Sequence, residues 1–275
     1  MIDTDRFVAV FERELATLRR TRSIWLLALG FFAITVGIGV FSDTSGYVPL
    51  TLTLLTPVEL LIPALTAAVG YRSVLADRER GETSILQTYP LGPGTYIAGV
   101  YCGRLAWTLL VVTVSLLVAA LTVSFASPPA DVLAEYTGID SPVYYFRFVV
   151  LTAVFAAVIL ALMVLLSTLV RSARRGIVAA LMVVVVVAIG IDLVIVFGVA
   201  GGVIGGNILP WYLALSPVSA YRGLVMAYVV SPVAATVVRP ASPLMSAISL
   251  LLWLVISLLL AGIAAWSTPS HVMSE

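Results

Sequence analysis

The sequence predicts an all-α, polytopic membrane protein. Three observations carry this. The chain of 275 residues is 61% hydrophobic and only 11% charged, where a soluble domain carries about 25% charge. Its mean hydropathy is +1.12. Six apolar runs, at about 23–41, 51–71, 104–126, 147–170, 176–199 and 245–267, are each long enough to cross a bilayer. A crossing needs about 20 residues, because about 1.5 Å of rise per residue must cover about 30 Å of hydrocarbon. In lipid every backbone polar group must be satisfied within its own element, so these runs are helices. Residues 1–275 read as one transmembrane domain, with no linker, soluble domain or convincing internal repeat.

The first element is amphipathic. Phe7, Phe11, Leu15 and Leu18 recur at helical spacing over 5–20, with Arg6, Glu12, Arg13, Arg19 and Arg20 on the other faces. Thr4 or Asp5 is the expected N-cap. The pattern predicts an interfacial helix, apolar face toward the membrane and arginines toward the headgroups, or else a charged lead-in to the first span. It does not read as a cleavable signal peptide.

The second span carries Glu59 between Pro57 and Pro63, which predicts a kinked or locally opened helix. The stretch after it holds the densest charge in the chain. Asp77, Arg78, Glu79, Arg80 and Glu82 precede Ile85, Leu86 and Tyr89, and Pro90, Gly92, Pro93 and Gly94 close the segment. Charge followed by an apolar stripe fits either a docking surface for another protein or an ordinary solvated loop. The fourth and fifth spans follow an outer loop with Asp131, Glu135 and Asp140.

Between the fifth and sixth spans, Pro210, Pro217 and Pro232 cut an apolar stretch into pieces too short to cross, and Trp211, Tyr212, Tyr221 and Tyr228 suit an interfacial level. This predicts a re-entrant outer segment of two short helices; the alternative is a seventh span near 211–231.

Orientation follows from arginine. All fifteen basic residues are arginines. With the N-terminus in the cytoplasm, Arg6, Arg13, Arg19, Arg20, Arg22, Arg72, Arg78, Arg80, Arg104, Arg171, Arg174 and Arg175 lie inside, and Arg147, Arg222 and Arg239 outside. The positive-inside rule therefore places both termini in the cytoplasm.

Several chemistries are excluded. Without lysine the chain has no conventional phosphate-binding P-loop, so ATP, if it drives the protein, is bound by another polypeptide. Cys102 is the single cysteine, and no intrachain disulfide can form. The single histidine, His271, lies in the C-terminal tail, and the six methionines form no MxM or MxxM pattern, so no metal site is expected. Glu59 and Asp192 are the intramembrane acids; such groups face protein or water and are functional candidates. For each, the alternative is a carboxyl toward the outer end of its span, hydrogen-bonded to a neighbour. Gly198 and Gly202 form a GxxxG, repeated by Gly206, which fits a subunit interface or the start of a flexible loop.

The charged stretch resembles the permeases of the ABC-2 family. The resemblance rests on Glu79-Arg80-Gly81-Glu82-Thr83, Ile85-Leu86, Tyr89-Pro90-Leu91 and Gly99. Phe11-Glu12-Arg13-Glu14-Leu15 with Arg19, Arg22 and Trp25 is similar to the family's N-terminal helix. Leu215-Ser216-Pro217-Val218-Ser219-Ala220-Tyr221-Arg222 is similar to its outer segment, with Ser216 where the family often has Asn. The chain looks closest to permeases associated with nitrous oxide reductase maturation and copper handling. The resemblance implies a non-catalytic permease in the plasma membrane, a homodimer or paired with another permease. A separate ATPase subunit, holding ATP and Mg, would dock on a cytoplasmic coupling helix carrying Arg78, Glu79, Arg80, Gly81, Glu82, Thr83, Ile85, Leu86, Tyr89 and Pro90. No nucleic acid partner is implied. The rival reading is a stand-alone secondary transporter or channel using Glu59 and Asp192; an intramembrane enzyme fits least, since no histidine lies at membrane level.

Overall fold

The structure, a computed structural model, describes residues 4–42, 46–125, 140–202, 209–233 and 242–267. Asp131, Glu135, Gly206, Arg239 and His271 lie outside the described residues. All regular structure among the described residues is helical: α1 (Thr4–Arg20), α2 (Arg22–Phe41), α3 (Tyr47–Gly70), α4 (Leu75–Glu79), α5 (Glu82–Thr88), α6 (Pro93–Thr122), α7 (Pro142–Leu169), α8 (Ala173–Val185), α9 (Ile191–Ala200), α10 (Leu209–Leu215), α11 (Pro217–Val225) and α12 (Pro243–Ser267). Wide π turns at Val186–Gly190 and Met226–Val230 continue α8 into α9 and extend α11.

Among the described residues six apolar helical stretches are long enough to cross a membrane: Arg22–Phe41, Tyr47–Glu79, Pro93–Phe125, Pro142–Leu169, Ala173–Ala200 and Pro243–Trp266. They match the six expected spans, with one large shift. The third begins at Pro93, about three turns before residue 104. Arg104 reads as a membrane boundary in the sequence, yet it is buried inside α6. The second span is helical through both prolines. Proline has no N–H to offer, so Pro57 and Pro63 leave the Thr53 and Glu59 carbonyls without their usual helical donors.

The core forms where α3, α6 and α7 pack together, with α2, α11 and α12 around them. Val58, Ile62, Val112, Leu116, Phe148, Phe155 and Ile159 are fully enclosed there. Close approach of α3 to α7 depends on Gly70, where a Cβ would stand 2.5 Å from that of Met163. Asp140 has a local role: its carboxylate accepts from Tyr47 N (2.5 Å) and Val48 N (3.2 Å), supplying α3 with an N-terminal acceptor from outside the helix.

One expectation about α1 changes. Thr4 and Asp5 lie within its first turn, so neither is the flanking cap. Its innermost residues are Val10, Glu14 and Leu18, with Phe7, Phe11 and Leu15 half-buried. The helix turns one face to α6, against which it packs most extensively.

The segment between the fifth and sixth spans forms α10 and α11, divided at Ser216, and neither is long enough to cross. Among the described residues no continuous helix therefore covers 211–231. Ser216 Oγ accepts from Ser219 N (3.3 Å), so the serine before the proline is the N-cap of α11. Tyr221 is fully buried, stacks on Phe155 (4.7 Å between ring centres) and shares a 2.8 Å hydrogen bond with Thr152, fastening α11 to α7.

Candidate functional site

The charged stretch folds as two short helices because Gly81 interrupts them. Its φ of 73° is in the left-handed region, where a side chain is disfavoured. The first piece, α4, is bound into the chain. Ser167 Oγ accepts from Val74 N (3.0 Å) and Leu75 N (3.1 Å). Arg78 donates to the carbonyls of Val170 (3.2 Å) and Thr168 (3.1 Å) at the end of α7, which have no helical donors of their own. Glu79 accepts from Ala173 N (2.7 Å) at the start of α8 and from Arg72 (2.8 Å). One five-residue helix thus holds both sides of the turn between the fourth and fifth spans.

Asp77 is the centre of the other half of the site. Only 2% exposed, it accepts from Arg13 Nη2 (2.5 Å), Arg80 Nη2 (2.7 Å) and the Tyr96 hydroxyl (2.7 Å). Arg80 also meets Glu82 (2.8 Å), and Arg13 reaches Glu82 (3.5 Å) and Glu14 (2.9 Å). Glu14 passes the chain of charges on to Arg104 of α6, with Nε at 2.9 Å and Nη2 at 2.7 Å. Arg104 also donates to the carbonyl of Val69, near the end of α3. Burial works against the Arg13 charge; Asp77 and then Glu14 outweigh it, and the guanidinium is held above its ordinary range. Tyr96 stacks on Trp266 (5.4 Å), bringing the end of α12 to the same cluster. Arg6 donates to the carbonyl of Pro90, closing the far end of α5 against α1.

The residues singled out in the sequence therefore divide in two. The charges of Arg78, Glu79, Arg80 and Glu82 are engaged within the chain, and Thr83 is buried. Gly81, Ile85, Tyr89 and Pro90 form the outward surface, with Ile85 62% and Tyr89 64% exposed. Leu86 is half-buried and packs on the core. The reason is electrostatic: a charged run beside a membrane domain finds partners within the chain when Arg13, Asp77 and the helix ends are within reach.

Sequence reading missed Asp77 as the hub, Arg13 and Glu14 as partners, and Arg104 and Tyr96 as receivers. A signal was present. Gly99 and Gly103 are a GxxxG on α6, and α1 lies against it. A Cβ at Gly99 would be 2.7 Å from that of Val10, and one at Gly103 would be 2.8 Å from that of Glu14 and 2.9 Å from the Phe11 carbonyl oxygen. Gly202, by contrast, ends α9 with nothing within 4 Å of a built Cβ.

A second polar cluster lies in the middle of the bundle. Glu59 stands at the midpoint of α3, rather than near its outer end, and is 5% exposed. Both its oxygens are taken by Arg222 of α11, through Nε (2.8 Å) and Nη2. Asp192 accepts from Ser219 Oγ (2.8 Å), one turn before Arg222. The two acids singled out in the sequence thus converge on successive turns of α11, and the Val186–Gly190 turn packs against both α3 and α11 beside them. Arg222, expected at an outer surface, is drawn inward because Glu59 needs a counter-charge. Among the described residues no group of three or more His, Cys, Asp or Glu side chains is placed to hold a metal ion.

Comparison with known proteins agrees with this layout. Residues 8–266 match the model of a family described as ABC-2 family transporter protein. Over 266 residues the chain is 28% identical to the probable ABC transporter permease protein NosY of Pseudomonas aeruginosa, covering 90% of this chain and 91% of that one.

Proposed function

This chain belongs to the ABC-2 family of transporter proteins and is a membrane permease subunit of an ABC transporter, and we propose that it does no chemistry itself but is driven through α5 by an ATPase. The nucleotide and its Mg belong to that partner, and the chain binds no cofactor of its own. In this reading the arginine-rich end, with both termini, faces the cytoplasm of a plasma-membrane protein. Two permeases pair in the membrane, with Gly198 and Gly202 as candidate contacts. The segment of α10 and α11 re-enters from the opposite side. The cargo expected from the resemblance is linked to copper or sulfur maturation.

One observation carries the coupling proposal: an exposed apolar surface, Ile85 and Tyr89, stands on a base of ion pairs, hydrogen bonds and a ring stack reaching α1, α3, α6 and α12. The apolar face supplies affinity by burial, and the charges behind it supply stiffness. A push on α5 reaches Asp77 through Arg80, and then α1 through Arg13 and α6 through Glu14 and Arg104. Glu79, Arg80 and Glu82 act here as transmitters rather than as the docking surface. The stand-alone transporter reading is weaker, because Glu59 is held through both oxygens in an ion pair with Arg222.

Co-purification tests the proposal. Ile85→Asp with Tyr89→Ala weakens ATPase binding at least tenfold and leaves membrane insertion intact. Arg13→Ala retains the ATPase but lowers transport-coupled hydrolysis. Undiminished binding by the double variant overturns the docking surface, and full coupling in Arg13→Ala overturns the transmission route.

A further inference from the structure

We infer that the free edge of Arg222 lines a water-filled pathway at mid-membrane, and that the wall it belongs to favours cationic over anionic cargo. The inference rests on the permease reading and adds to it a place and a charge preference.

Depth comes first. Glu59 is at the centre of the 24-residue α3, a helix about 36 Å long. Arg222 binds the Glu59 carboxylate side-on, so its guanidinium lies at the same depth. That grip also keeps the side chain from extending to a membrane surface, the usual escape for an arginine in a bilayer.

Exposure comes second. The Arg222 side chain remains 46% exposed. Turned toward lipid tails at mid-bilayer, an arginine is costly. The two carboxylates that offset its charge lie on the protein side and leave the outward edge unsolvated. Water on that edge removes the cost.

The surroundings agree. Ser219 and Asp192 add a hydroxyl and a second carboxylate one turn away. Pro63 deprives the Glu59 carbonyl of its helical donor, leaving another acceptor at this level. The π turn at Val186–Gly190 loosens the fifth span where it meets α3 and α11. Four polar groups from three elements thus gather at a depth where a lipid-facing surface has none.

The sign of the wall follows from its members. Glu59 and Asp192 oppose one guanidinium, which leaves a net negative charge. A cation passing at about 8 Å is favoured and an anion disfavoured by about the same amount.

The test is thiol labelling of the whole transporter, ATPase included, in sealed vesicles of both orientations and in a Cys102→Ala background. Met226→Cys lies one turn beyond Arg222 on the same helix face, and Ser219→Cys one turn before it. Leu259→Cys, on the exposed face of α12, serves as the lipid-facing reference. The probes are membrane-impermeant thiosulfonates carrying a trimethylammonium or a sulfonate group. Met226→Cys is expected to react at least tenfold faster than Leu259→Cys. Normalised to a free thiol, the cationic reagent should be favoured roughly fivefold. Should Met226→Cys fail to assemble, Ser219→Cys carries the same expectation. Labelling as slow as at Leu259→Cys from both sides overturns the pathway, and equal or anion-favouring rates overturn the charge preference. Fast labelling from one side alone supports the pathway and identifies the face to which it opens. The docking proposal is judged separately, by ATPase co-purification.

Discussion

Glu14 of the N-terminal helix and Arg104 of the third span form a buried ion pair, with Nη2–Oε2 at 2.7 Å and both side chains under a tenth exposed. It joins a segment that reads as peripheral to the centre of the membrane domain. A pair of this kind owes its net effect to completeness, since removing one partner strands the other away from water.

Glu14→Ala should accordingly destabilise the subunit by about 3–5 kcal/mol, because Arg104 is left with the Val69 carbonyl alone. Glu14→Leu with Arg104→Met should recover most of that loss. Thermal unfolding in detergent or nanodiscs measures both. A single variant as stable as the parent contradicts the buried pair.

Gly103→Ala should loosen α1 by about 1–3 kcal/mol through overpacking, since the new methyl meets the Glu14 side chain and the Phe11 backbone. Hydrogen exchange across residues 5–20 reads the change directly. Gly202→Ala, with open space around it, should leave that exchange untouched, although its left-handed φ of 71° makes the alanine strained locally.

Six spans were legible in the sequence because twenty apolar residues admit few other structures in lipid. Boundaries were less so. Arg104 marked a false edge because charge inside a membrane helix is rare unless paired, and its partner lies ninety positions away. The same limit hid Arg222 as the counter-charge of Glu59, across 163 positions. Composition identified both acids but could not tell which arginine would be drawn in. The charged run was visible as a unit, yet its internal ion pairs were not, because the folded positions of Arg13 and Asp77 decide which charges remain for a partner.

Asp140→Ala should cost about 0.5–2 kcal/mol, the usual worth of an N-terminal acceptor. The loss arises at α3 although the residue precedes α7, since the Tyr47 and Val48 amides lose their acceptor. Asp140→Asn should recover part of it. Unfolding midpoints of the three proteins give the order.

Tyr221→Phe removes the hydroxyl shared with Thr152 but keeps the ring against Phe155, so a loss of about 0.5–1.5 kcal/mol is expected. Tyr221→Ala removes both and should cost about 3–5 kcal/mol. Proteolysis between the fifth and sixth spans should rise in that order if α11 is fastened to α7 as described.

The wide turn at Val186–Gly190 holds one residue more than an ordinary helical turn requires. Removing one residue there would let the fifth span wind regularly. Everything beyond would then swing by ~100° about the helix axis, and Asp192 would be carried away from Ser219. The surplus residue works as a shim: it sets the azimuth of the second half of the helix independently of the first, so chain length at this point, and not side-chain identity alone, determines whether the second acid meets its partner.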